Sequence, residues 1–312
     1  MEFLESVTIT PFVQIAADFP VFFGEVVFNG LLTGVLYSLV ALGFVLIFKA
    51  SGVFNFAQGA MVLFAALTLV GLIELGLPVW LGFIITVGAM VALAYLVELL
   101  VLRHLINQPD IILFMSTIGL TFFLEGFGET LWGSNVKKLD IGVPDVPLDI
   151  AGMLVNSFDL IAALACALLV AGLAFFFQYT PTGRALRAVA DDHQAALAVG
   201  IPLKKIWIIV WSVAGIVALV AGIVWGAKSG VQFSLSLIAL KALPVLILGG
   251  FTSVPGAIVG GLIIGVGEKI AEVYWGPAVG GAIENWFAYV LALAFLFVRP
   301  QGLFGERIIE RV

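Results

Sequence analysis

The sequence predicts an all-α polytopic membrane protein of eight to nine transmembrane helices, with interrupted helices in two Gly-rich blocks, and three observations predict it. Of the 312 residues, 62% are hydrophobic and only 11% charged, against about 25% charged in an ordinary soluble domain, and the mean hydropathy is +1.20. Apolar runs of about 20 residues, enough to cross a bilayer core of roughly 30 Å, recur along the whole chain. Twice, at 48–61 and 248–265, such a run is broken by glycine and polar residues and then resumes at once.

Taken in order, the spans fall near 24–48, 57–74, 79–102, 111–131, 157–178, 205–227, 236–250, 255–271 and 283–298, the seventh being short. Placing the N-terminus outside and the C-terminus in the cytoplasm puts nine of the 14 basic residues inside. Those nine are Lys49, Arg103, Arg184, Arg187, Lys204, Lys205, Arg299, Arg307 and Arg311. Lys137, Lys138, Lys228 and Lys269 then lie outside, and Lys241 falls within a span, from which it is expected to snorkel outward. The first twenty residues carry Glu2, Glu5 and Asp18 and no Lys or Arg, the wrong charge for a cleavable signal peptide, so 1–23 is expected to remain as an external segment. Cys166, the single cysteine, excludes a disulfide framework and a cysteine metal site.

Two loops are long enough to act. The external one, 132–156, has Gly and Pro punctuation between short apolar pieces and reads as compact. In the cytoplasmic one, 179–204, Asp191 is a good N-cap with Gln194 three residues on, and Gly200 followed by Pro202 is a stop signal, which frames a helix of about eight residues. A helix that short is marginal alone and needs something to dock on. Ala195, Ala196, Ala198 and Val199 suit a groove on another protein, with the charges of Arg184 and Arg187 beside them; the alternative is a loop lying on the protein's own helix ends.

Broken helices inside a membrane are tolerated where their backbone lines a cavity or is buried in protein, so paired breaks point to a substrate path. Asn55 and Gln58 at the first break, and Thr252 and Ser253 at the second, are candidates to replace lost helical hydrogen bonds, or else to cap helix ends near the cytoplasmic surface. Glu125 lies inside a span, on a stripe with Ser116, Thr117 and Thr121, and a carboxylate there is costly enough to be a path or gating candidate. Glu98 with Arg103 sits at an inner helix end and is expected to snorkel. No metal ligand set, catalytic constellation or nucleotide-cradling loop is present, so neither an enzyme nor a self-powered pump fits, and no nucleic-acid partner is expected. A passive channel for a small neutral solute, such as urea or an amide, and the membrane subunit of a transporter driven by a separate ATPase both survive.

The blocks "NGLLTGVLYSLVALGFVLIFKASGVFNFAQGAMVLFAA", "MSTIGLTFFLEGFGETLWG", "PTGRALRAVADDHQAALAVGIP" and "KALPVLILGGFTSVPGAIVGGLIIGVGE" occur in the order of a known family. Across most of 29–300 the chain resembles the permease subunits of bacterial ABC importers for branched-chain amino acids, in particular the LivH-like member of the pair. The resemblance implies one permease domain over 1–312 in the inner membrane, paired with a second, LivM-like permease. Two cytoplasmic ATPase subunits holding ATP and Mg, and an external solute-binding protein docking near 132–159, complete the importer that it implies; this chain itself would bind no cofactor. Gly183, Arg184, Ala188, Asp191, Ala195, Ala196 and Gly200 match the family's coupling segment, which engages the ATPase. Glu125 and Gln58 depart from the amide and the histidine common at those places in the family.

Overall fold

The computed structural model describes residues 7–52, 54–105, 108–191 and 193–305. Glu2, Glu5, Arg307 and Arg311, used in the charge argument, lie outside them. Each of the nine expected segments coincides with an apolar helix. Six are long enough to cross a membrane: α2 Val21–Ser51, α4 Val79–Leu100, α5 Asp110–Trp132, α6 Ser157–Tyr179, α9 Leu203–Ser229 and α11 Val254–Val279. Three are shorter: α3 Gln58–Glu74, α10 Ile238–Gly249 and α12 Phe287–Val298. A further helix, α1 Thr10–Asp18, lies in the N-terminal segment.

The all-α expectation fails in one place. Strands β1 Pro147–Ile150 and β2 Met153–Asn156 pair antiparallel within the external loop, with Ile150 opposite Met153. The two turn residues, Ala151 and Gly152, both have positive φ, as a tight hairpin turn of this hand requires, and Asp149 Oδ1 accepts from Gly152 N at 2.8 Å.

The chain divides into two compact units. Unit 1 is Met1–Ser38, Val143–Leu168 and Lys241–Val312; unit 2 is Leu39–Gly142 and Leu169–Leu240. In unit 1 the first half of α2 packs along α11 through glycines. A Cβ on Gly34 would stand 2.7 Å from Gly261 O, and one on Gly30 2.7 Å from Val266 Cα, so only bare backbone fits. Ser38 Oγ sits between the carbonyls of Gly34 and Ile258, at 2.7 and 3.1 Å. With no hydrophobic drive between helices in lipid, such close backbone approach supplies the packing energy. Glu25 Oε2 accepts from Leu154 N at 2.9 Å, which ties the hairpin to α2.

Unit 2 is built around α3, in which every residue from Gln58 to Gly71 is buried. A helix apolar on all sides belongs in a core. It packs on α4, α5 and α9; Gly222 of α9 meets Val62 O, and Gly71 meets the ring of Trp132. Glu98 is fully buried and paired with Arg103 at 3.1 Å, so its carboxylate does not snorkel as the sequence suggested. Lys137 pairs with Glu74, and its backbone bridges Val231, so the end of α3, the segment after α5 and the end of α9 share one side of the unit.

Gly265→Ala would drive a Cβ to 2.5 Å from Gly34 Cα and 2.6 Å from Gly30 O, whereas Gly172→Ala on α6 meets nothing within 4 Å. The first is expected to destabilise by roughly 1–3 kcal/mol through overpacking. The second should be neutral or stabilise by up to about 1 kcal/mol. Thermal melts of the two variants in detergent, compared with the unmodified chain, check both signs.

Candidate functional site

The first break begins where α2 ends. Trp207 Nε1 donates to Ala50 O at 3.2 Å, which levels the end of α2 with the start of α9. Gly52 has a φ of 72°, Phe54 to Ala57 form no helix, and α3 does not start until Gln58. Gln58 Nε2 donates to Ala214 O at 3.3 Å, about two turns or about 10 Å along α9 from Trp207. A Cβ on Gly43, about two turns before the end of α2, would stand 2.5 Å from the same nitrogen. Gln58 thus meets α9 about 10 Å along its axis from the level at which α2 ends.

The freed backbone is satisfied locally. Asn55, fully buried, turns its Oδ1 back to accept from Ala57 N at 3.1 Å, a side-chain mimic of a backbone turn. Thr117 of α5 accepts from Phe56 N at 3.3 Å and donates within its own helix to Phe114 O at 2.8 Å. A run of rings closes the outside of the break: Phe44 stacks on Phe54 at 4.6 Å, Phe54 meets Phe56 edge-on at 4.8 Å, and Phe56 meets Phe114 at 4.9 Å. Thr117 stood in the polar stripe but was not singled out there. Its signal is its register on α5, which only the fold sets against the break. Gln58 keeps one need unmet: its Oε1 is buried without a hydrogen-bond partner among the described residues.

The rest of the stripe behaves differently. Ser116 and Thr121 return their hydroxyls to Leu113 O and Thr117 O of their own helix, at 2.7 and 3.0 Å. Glu125 is half-buried and makes no hydrogen bond or ion pair among the described residues.

The second break lacks the depth of the first. Gly249 packs directly on Gly256, Ser253 Oγ accepts from Gly256 N at 3.0 Å, and Leu303 N and Phe304 N donate to the carbonyls of Leu248 and Gly249 at 2.8 and 3.1 Å. It is a tight, capped turn whose orphan carbonyls are met by the C-terminal segment. Thr252 is half-buried beside it. Thr252 and Ser253 belong to unit 1, Asn55, Gln58, Ser116, Thr121 and Glu125 to unit 2. Among the described residues no group of three or more His, Cys, Asp or Glu is placed to hold a metal ion.

The loop after α6 holds two helices where one was expected: α7 Pro181–Asp191 and α8 His193–Ala198. Asp191 thus lies within α7 rather than ahead of a helix, and the side chain of Gln194 lies outside what the structure describes. The start of α7 was legible in Thr180-Pro181: Thr180 Oγ1 accepts from Gly183 N at 3.1 Å, with proline at the first helical position. A Cβ on Gly183 would stand 2.6 Å from Phe176 O, and Arg187 donates to the carbonyls of Phe177 and Gln178, so both residues fasten α7 to the end of α6. Gly200, with φ of 83°, donates to Leu197 O at 3.0 Å while Ile201 N donates to Ala196 O at 3.0 Å, the paired bonds of a glycine stop. Ala188 is half-buried; Arg184, Asp191 and Ala195 are exposed. Ala196 is buried at 2%, while Leu197 and Val199 stand 52% and 76% exposed at the tip.

The sequence model of the family described as branched-chain amino acid transport system / permease component matches residues 26–299. The chain belongs to that family. It is thus a multi-pass inner-membrane permease of the ABC importer kind. The high-affinity branched-chain amino acid transport system permease protein LivH of Salmonella typhimurium is 27% identical over 93% of this chain and 98% of its own length. BraD of Pseudomonas aeruginosa, named for the same transport, is 28% identical over 91% of this chain and 96% of its own. A probable branched-chain permease, LivH of Methanocaldococcus jannaschii, is 30% identical over 90% and 91%.

The permease separates two roles at its first break. Asn55→Ala leaves a buried backbone N–H unpaired and is expected to cost roughly 1–3 kcal/mol. Gln58→Leu removes an amide already half unsatisfied and should change stability by less than about 1 kcal/mol. Melting the two variants side by side in detergent checks the order.

Proposed function

We propose that this permease carries branched-chain amino acids, or closely similar small amphipathic amino acids, inward through a path lined or gated by Asn55, Gln58 and Glu125. What carries the reading is the extent of the match: relatives named for high-affinity branched-chain amino acid transport align with it nearly end to end. The buried break supports the location. Among the described residues Gln58 keeps a free acceptor and Glu125 a free carboxylate, and a polar group left unpaired within a span is costly enough to call for a function. Ser116, Thr121, Thr252 and Ser253 take lesser parts, since the first two and the last are engaged with nearby backbone.

The chain then serves as one permease domain with its N-terminus outside and its C-terminus in the cytoplasm. It pairs with a LivM-like permease, with two ATPase subunits that hold ATP and Mg, and with an external solute-binding protein that meets the 132–156 loop and its hairpin. Segment 179–204 couples the spans to the ATPases. Gly183 and Arg187 act as its footing, Gly200 as its stop, and Leu197 and Val199 as the apolar tip that enters the ATPase, a face supported by their exposure and by the burial of Ala196.

Two experiments test this. Leu197→Glu/Val199→Glu should abolish copurification of an ATPase that the unmodified chain brings down, with the melting temperature of the permease unchanged; undiminished recovery would overturn the coupling assignment. In vesicles holding the purified complex, ATP-dependent accumulation of leucine should be outcompeted by isoleucine and valine and should fall at least tenfold in Gln58→Leu and Glu125→Leu. Equal uptake of urea, or uptake without ATP, would overturn the importer of amino acids.

A further inference from the structure

Helix α1 has nine residues, a length that is marginal alone in water, so its surroundings hold it in place. At 100° per residue the helix and its cap Ile9 show three faces. Pro11 is buried and Ile15 half-buried, so that face lies on the protein. Thr10, Gln14 and Asp18 share an arc of about 80° and make the polar face. Ile9, Phe12, Val13 and Ala16 share an arc of about 100°, as wide as the stripe that a helix usually turns into a core. All four are exposed, Phe12 by 62% and Val13 by 60%.

The contacts of α1 fix its level. Trp275 Nε1 of α11 donates to Val7 O at 3.0 Å, and its ring meets Phe12 edge-on at 5.6 Å. Beyond the other end of α1, Phe19 packs on Phe23, and Phe23 on Tyr274, at centroid distances of 6.1 and 6.4 Å. The segment is thus gathered at two consecutive residues of α11, about one turn before that helix ends at Val279. With 26 residues rising about 39 Å, α11 overruns a roughly 30 Å core, so its last turn falls among the headgroups, where Trp and Tyr are enriched. The apolar stripe of α1 is therefore placed at the membrane surface. It continues into Phe19, Val21 and Phe22, which are exposed where the span α2 starts.

Charge decides which lipid fits. Residues 1–23 hold no Lys or Arg. Lys241 does not snorkel outward as the sequence suggested: its Nζ donates to Glu268 Oε1 at 2.9 Å, turned into the protein by a carboxylate that is 1% exposed. Lys269 pairs with Glu284 at 3.6 Å. With no cation on α1 and Asp18 on its polar face, seating rests on buried apolar area, and an acidic headgroup adds nothing.

We propose that α1 is an interfacial helix seated in the lipid surface. Ile9, Phe12, Val13 and Ala16 lie at the boundary of headgroups and acyl chains, Gln14 and Asp18 face water, and the lipid needs no acidic headgroup. This placement holds whichever solute the permease carries. The test labels Ala16→Cys and Gln14→Cys, about 160° apart on α1, with bimane in a chain carrying Cys166→Ala. The permease, with the subunits it brings down, is reconstituted into phosphatidylcholine vesicles with or without phosphatidylglycerol. Phosphatidylcholine brominated on its acyl chains should quench the label at residue 16 at least twofold more than that at residue 14. Iodide on both sides of the membrane should reverse the order, and phosphatidylglycerol should change neither. Equal quenching of both positions by iodide would place α1 in water and overturn the proposal. A label at residue 16 shielded from both quenchers would mean that protein covers the stripe, and overturns it likewise. Quenching by brominated lipid only when phosphatidylglycerol is present overturns the lipid class assigned. Should Ala16→Cys fail to assemble, Val13→Cys on the same stripe is read in the same way.

Discussion

A backbone N–H or C=O that leaves a helix inside a membrane has no water to turn to, and the core of this protein is arranged around that constraint. α2 ends at Ser51, and the described residues Phe54 to Ala57 lead into α3, whose first residue, Gln58, meets α9 about 10 Å along from the contact at the end of α2. Each support around it answers a lost helical bond: Trp207 meets Ala50 O, Asn55 meets Ala57 N and Thr117 meets Phe56 N. The aromatic run from Phe44 to Phe114 then packs around Phe54 and Phe56. It follows that α3, with 17 residues, can be short: it is wrapped by α4, α5 and α9, so its length need not match the bilayer.

The same constraint is met in a different way wherever two helices meet end to end. At the second break the chain turns within a few residues, Ser253 caps α11, and Leu303 and Phe304 close the last carbonyls of α10. At the end of α6, Arg187 serves the carbonyls and bare backbone at Gly183 admits α7. These are two solutions to one deficit. A turn can be closed by a cap within reach of its own chain, whereas the first break needs donors from other helices, and only that break leaves an amide such as Gln58 with a spare acceptor.

Much of the fold was legible because its signal is one-dimensional. Hydropathy alone located the nine apolar helices found among the described residues, and the polar letters of 48–58 marked the break. What stayed hidden depends on register across space. The two breaks look alike as letters, yet Gly43 and Ala214 set the depth of one, while Leu303 and Phe304 close the other. Thr117 differs from Ser116 by one position and by 100° around α5, and that rotation decides which hydroxyl meets the break. The hairpin was missed because Ala-Gly is a weak turn signal, and α7 because Thr180-Pro181, a good helix start, sits against the end of a longer apolar run.

Charge inside the spans sorts the residues once more. Glu98 has Arg103 and Glu268 has Lys241 on one of its two oxygens, each partner within the same unit, so the cost of burying them is offset in part inside this chain. Glu125 has no such partner among the described residues, and it stands half-buried on α5. A carboxylate in that state draws on water or on a group beyond the described residues. The two partnered pairs are therefore explained by the architecture, and the unpartnered one by what the architecture is for.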